Sequence, residues 1–285
     1  VEPNSNNNQW LSEVKQAPIR LMVSLILVHI AFTLFINLVI FEYGYLDFVY
    51  EATSGWINVT LTVNLIGLLL EVVILLCIIG GLSLRDVGIR KEKLVSGLIG
   101  TLLFWISIHV LDFIMTFISN EEITFNQDLF THPNVVLGGF FGQIFGNALL
   151  EEIVFRGFLF VQILLLLTKH YKLKSPLFIA MLLSQSIFAI IHIPNRIYSG
   201  LVGMEYVYDF IQLVILGVIF SLIYVLTKNL FFVIGIHALL NEPPMLLDSS
   251  FANFSTLIGV LLLVGLLFWK SKKYHNSKIN LQNSI

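Results

Sequence analysis

Eight apolar stretches separated by polar loops constrain this chain more than any other feature. They lie near 19–41, 57–80, 94–118, 135–167, 176–193, 207–227, 229–247 and 252–269. About 20 mostly apolar residues are needed to cross roughly 30 Å of hydrocarbon as a helix. In hydrocarbon every backbone N–H and C=O must find its partner inside the protein, which leaves helices or closed barrels. The ten-residue alternation of a barrel strand is missing. The expected fold is therefore all-α, a polytopic membrane bundle of about eight transmembrane helices. Composition agrees: 57% of the 285 residues are apolar and only 12% charged, about half the charge of a soluble domain. The net charge of −2 offers no basic face for nucleic acid. The single cysteine, Cys77, excludes a disulfide framework and a cysteine-based metal site.

Lysine and arginine set the orientation. Lys15 and Arg20 precede the first run. Arg85, Arg90, Lys91 and Lys93 follow the second, and Lys169, Lys172 and Lys174 follow the fourth. Lys228 separates runs six and seven; Lys270, Lys272, Lys273 and Lys278 follow the eighth. These are 14 of the 16 basic residues. The opposite loops hold Glu42, Asp47, Glu51, Glu121, Glu122 and Asp128, with Arg196 the one basic exception there; Arg156 lies inside a run. Both termini are expected on the cytoplasmic side of a cell membrane. Val1 to Gln9 is polar and Asn-rich and reads as disordered, without a removable signal peptide behind it.

The expected organisation is a disordered tail over 1–18, N-terminal transmembrane helices over 19–134 and a membrane core over 135–247. A last helix at 248–270 and a basic tail at 271–285 follow. Two runs depart from a simple span. The fourth has 33 residues, roughly 50 Å of helix, so it must tilt, break or start outside the hydrocarbon. Its glycines, Gly138, Gly139, Gly142 and Gly146, suit close helix contact or a kink. The seventh ends at Pro243–Pro244, which cannot continue a helix.

Ionisable groups are costly in hydrocarbon, so those that persist face the bundle interior and mark function. The fourth run carries Glu151, Glu152 and Arg156; the fifth ends with His192, four residues after Phe188; the seventh carries His237 and Asn241 one turn apart. Each has a plain structural explanation. Glu152 and Arg156 at i,i+4 form a self-neutralising ion pair, and His237 with Asn241 an interhelical clasp. The Glu-Glu-x-x-x-Arg pattern stands out, since composition predicts only ~0.01 occurrences. Counted from the cytoplasmic ends, Glu151, His192 and Asn241 lie roughly 20–24 Å deep, and His237 roughly 14 Å. Three of the four share a level in the outer half.

A carboxylate and an imidazole sharing one water form a general-base pair for attack on an amide carbon. A neutral imidazole N–H and an amide NH₂ can receive the oxyanion. Glu151, His192 and His237 would equally supply three zinc ligands with a fourth position open. The residue types leave both readings open. Glu71, His109 and Asp112, also inside runs, would line the cavity mouth with water, or serve a transporter-like proton relay.

Glu151-Glu152-Ile-Val-Phe-Arg156, Phe188-Ala-Ile-Ile-His192 and His237-Ala-Leu-Leu-Asn241 resemble, in order and in placement on three runs, the signature motifs of the CAAX protease and bacteriocin-processing (CPBP) family of intramembrane endopeptidases. The resemblance covers about 135–245. It implies Glu151 as the catalytic carboxylate and His192 as its partner in activating water. His237 and Asn241 become oxyanion donors, or His237 a zinc ligand in a metalloendopeptidase view. Glu152 and Arg156 support the site, Arg156 by orienting the carboxylates. The substrate implied is a peptide or membrane-protein segment reached from the lipid bilayer. Bacterial relatives are linked to peptide maturation, bacteriocin immunity and envelope regulation. A non-catalytic immunity or regulatory role on the same fold is the alternative.

Overall fold

The computed structural model describes residues 9–171 and 173–282. Residues 1–8 and 283–285 of the two expected tails, and Lys172, lie outside it. Eight rods follow the eight apolar stretches: α1 (Ile19–Phe41), α2 (Val59–Ile79), α3 (Lys91–Ile118), α4 (133–170), α5 (Pro176–Tyr198), α6 (Met204–Thr227), α7 (Leu230–Asn241) and α8 (Ala252–Gln282). No strand occurs among the described residues; Phe125 and Leu247 form an isolated antiparallel bridge. Six of the rods are long and apolar enough to cross a membrane. The protein is a multi-pass membrane protein, and the two rods outside that set build the interior.

The first of these is α4, the overlong run. It stays helical throughout but widens to π-type i→i+5 turns at Gln143–Asn147 and again at Glu152–Leu159. Such turns concentrate at functional sites, and here they flank Glu151. An α-helix drifts by about 40° over every four residues. A wider turn takes up more residues, so Gln143, Asn147 and Glu151 stay near one face. On the side facing α2, a Cβ on Gly138 would meet the Gly55 carbonyl, one on Gly142 would meet Asn58, and one on Gly146 would lie 3.2 Å from Leu61 Cα. Three of the four glycines thus permit the close approach expected of them; Gly139 has nothing nearer than 3.6 Å.

The second is α7, shorter than the expected 229–247. Its 12 residues rise roughly 18 Å before the chain leaves helical geometry ahead of Pro243–Pro244. The Asn229 side chain caps its start by accepting from Phe232 N–H, just after Lys228 turns in the left-handed region at φ 53°. From Leu230 to Leu239 every residue except Phe231 is buried. Protein surrounds α7, so the irregular backbone behind it is tolerated at membrane depth. There Asn126 N–H donates to the Leu246 carbonyl and Asp248 N–H to that of Thr124.

Around this pair α3 packs on α7, α5 on α6 and on the second half of α4, α2 on the first half of α4, and α8 on α3 and α6. Large side chains left exposed, such as Leu102, Leu103, Phe117, Leu261 and Leu266, are the surface a lipid-facing bundle presents.

Within the tail expected to be disordered over 1–18, residues 10–17 pack on the bundle. Leu11 and Ala17 are buried, and Trp10 meets Tyr224 edge-on. Gln162 pins this segment, accepting Ala17 N–H at 2.8 Å and donating to the Lys15 carbonyl at 3.0 Å. Tryptophan and leucine in a polar segment have apolar area to bury once a bundle end is available, which composition alone does not reveal. At the other terminus α8 continues to Gln282, past the expected end at 270.

Candidate active site

Glu151 closes the short α-helical step between the two wide segments of α4. One of its oxygens lies 3.6 Å from His192 Nε2 on α5 and the other 3.7 Å from His237 Nε2 on α7. Three rods therefore bring one carboxylate between two imidazoles, all at one depth. His237 is included, although residue counting placed it roughly 10 Å shallower than Glu151 and His192.

The second nitrogen of each ring fixes its tautomer. His192 Nδ1 lies 2.8 Å from the Phe188 carbonyl, which only accepts, so Nδ1 carries the proton. His237 Nδ1 lies 2.7 Å from Glu152 Oε1. That oxygen also takes Nη1–H of Arg156 at 3.0 Å, so the ring donates here too. Both imidazoles, when neutral, thus turn an unprotonated Nε2 toward Glu151. The expectation that neutral His237 offers an N–H to an oxyanion is corrected: its one proton is committed to Glu152. His237 donates from Nε2 only when doubly protonated.

Glu152 and Arg156 do form the i,i+4 pair, both fully buried. The pair does more than neutralise itself, since the oxygen that holds Arg156 also holds His237. Among the described residues Arg156 bonds Glu152 alone, and its guanidinium is clasped between the rings of Phe188 at 4.5 Å and Phe220 at 5.4 Å. Phe220 also lies against His237, with ring centres 5.0 Å apart.

Glu151, His192, His237 and Asn241 all line a cavity of about 430 Å³, a volume suited to a small ligand or a short stretch of peptide. Asn241 does not touch Glu151. It is exposed to the cavity, and its Nδ2 donates to Gln143 Oε1 at 2.9 Å. Gln143, Asn147 and His29 also line the cavity, and the motif search passed over all three. The signal was present: polar residues at 143, 147 and 151 repeat every fourth position of an otherwise apolar run.

Glu71, His109 and Asp112 do not line this cavity. Glu71 is fully buried and bound to His29 Nδ1 at 2.8 Å. His109 packs edge-on against Trp105, while Asp112 Oδ1 lies 3.5 Å from Ser255 Oγ on α8. Residue type marked them as polar and intramembrane, but they face other helices. Glu151 gives one oxygen to each imidazole. Among the described residues no group of three or more His, Cys, Asp or Glu is arranged to hold a metal ion.

Residues 133–242 match the family model described as type II CAAX prenyl endopeptidase Rce1-like. The matched segment starts with α4 and ends one residue beyond Asn241, so it contains every group that meets at Glu151. No curated protein and no solved structure matches the chain. The three motifs, their convergence on Glu151 and this match agree: they support assigning residues 133–242 to the CAAX protease and bacteriocin-processing family.

Proposed function

We propose that the protein is an intramembrane endopeptidase that hydrolyses a peptide bond of a peptide or membrane-protein substrate with water activated by Glu151 and His192. The observation that carries this reading is the Glu151 carboxylate set between two imidazoles that both turn Nε2 toward it. A carboxylate oxygen and a bare Nε2 are both acceptors, so a water between them points its hydrogens inward and a lone pair outward. That lone pair attacks the scissile carbonyl carbon while Glu151 removes the proton. The oxyanion is received by the Asn241 amide N–H and by Nε2–H of doubly protonated His237, whose Nδ1–H stays on Glu152. As the C–N bond breaks, Glu151 returns its proton to the departing amine. No step passes through a metal ion.

The basic loops place both termini in the cytoplasm, and the site then lies toward the outer leaflet, so the substrate is reached from the membrane or the outer face. The test is a Glu151→Gln variant in liposomes, assayed with a pool of fluorophore–quencher peptides. Wild type releases fluorescence and the variant loses roughly 10³-fold in turnover. Equal cleavage by both proteins would sink the reading.

A further inference from the structure

Asn241 is exposed to the cavity, so packing does not fix its amide. Among the described residues, the hydrogen bond its side chain makes is the one to Gln143 Oε1 at 2.9 Å. The same oxygen takes a second, longer contact from Asn147 Nδ2 at 3.4 Å. In this network the Gln143 amide turns its carbonyl oxygen to both NH₂ groups. The Asn241 NH₂ accordingly faces Gln143, one N–H engaged and the other left for the cavity.

From these contacts we infer that Gln143 is a positioning residue for the reaction, acting through Asn241. It rests on the proposed peptidase reading, in which Asn241 donates to the oxyanion. Asn241 stands one turn, roughly 6 Å, along α7 from His237. The sequence base, water, carbonyl carbon, oxyanion and donor spans a comparable length, so a donor there has to be aimed. Gln143 does the aiming from α4, the rod that also carries the base. Its own place is set by packing, because the flanking Gly142 and Gly146 press α4 against Asn58 and Leu61 of the α2 end. The wide turn over Gln143–Asn147 then keeps Gln143 on the Glu151 face. Gln143 belongs to none of the three signature motifs.

The test is a double-mutant cycle on the full chain in liposomes with the same peptide pool. Gln143→Leu is expected to lower kcat about 10-fold and leave KM within twofold, because an interaction made in the transition state is lost. Combined with Asn241→Ala it should add little to the loss from Asn241→Ala alone, since one residue works through the other. Gln143→Glu keeps an accepting oxygen and should recover most of the lost kcat. A merely structural role would instead lower stability, multiply with Asn241→Ala and find no rescue in the glutamate. Any of those three results overturns the inference, as does an unchanged kcat in Gln143→Leu. If Glu151→Gln is inactive while Gln143→Leu is intact, only the role of Gln143 fails. If Glu151→Gln cleaves normally, or wild type cleaves nothing, the peptidase reading fails and takes this inference with it.

Discussion

The guanidinium of Arg156 lies 4.5 Å from the centre of the Phe188 ring, and the carbonyl of that phenylalanine accepts Nδ1–H of His192. One residue of α5 therefore ties the buried cation of α4 to the imidazole that faces Glu151. Arg156→Ala leaves Glu152 as a buried charge without its cation, expected to cost about 3–5 kcal/mol in thermal unfolding in detergent. Arg156→Lys keeps the charge and loses the planar group that fits between Phe188 and Phe220. It should fold and turn over more slowly, which separates ring clasp from charge.

Glu151 and Glu152 are neighbours in sequence with different tasks in the proposed reaction. Glu151→Gln removes the base. Glu152→Gln keeps an oxygen for His237 Nδ1–H but no longer stabilises its doubly protonated form. We expect a loss of about 10²-fold in kcat for the second change, against roughly 10³-fold for the first. Equal losses would contradict this division. The proposed metal-free reaction predicts that chelators leave wild-type turnover unchanged; a loss on chelation that zinc restores would overturn it.

Gly157 and Gly139 should answer differently to a methyl group. A Cβ on Gly157 would run into the Val87 carbonyl, a backbone atom that cannot rotate away. Gly157→Ala should therefore shift α4 against the 81–90 loop and cost about 1–3 kcal/mol. Gly139→Ala meets nothing nearer than 3.6 Å and should be neutral in the same melting assay.

Asp86, in the loop after α2, gives a pH prediction. Burial pushes its carboxyl up, but Lys15 N–H at 2.7 Å, Ser83 Oγ–H at 2.6 Å and Ser83 N–H at 2.8 Å outweigh that and hold it below the usual range. A carboxylate whose folded pKa is depressed stabilises above its unfolded value, about 3.9, and loses that contribution as pH falls through the folded value. Asp86→Asn should cost about 1–2 kcal/mol at neutral pH, and the gap to wild type should start to narrow below about pH 4 and vanish once the pH is under the folded value. A gap that does not narrow with acid would show that the effect is not electrostatic.

The apolar stretches determined the number of rods, and the rarity of Glu-Glu-x-x-x-Arg marked α4 as the rod that matters. Both are local properties: run length reports transfer into hydrocarbon, and an ionisable group within a run must justify itself wherever it sits. Residue type did not show which polar groups share a cavity. Glu71, His109 and Asp112 looked equivalent to Glu151, yet they face other helices, and Gln143 went unnoticed until Asn241 was seen to rest on it. Tautomers, depth and the packing of Trp10 to Ala17 were likewise beyond the sequence. Most of these depend on atoms that lie far apart along the chain, such as Glu152 beneath His237 and Gln162 beneath Lys15, and only close packing of the rods brings those atoms within bonding distance.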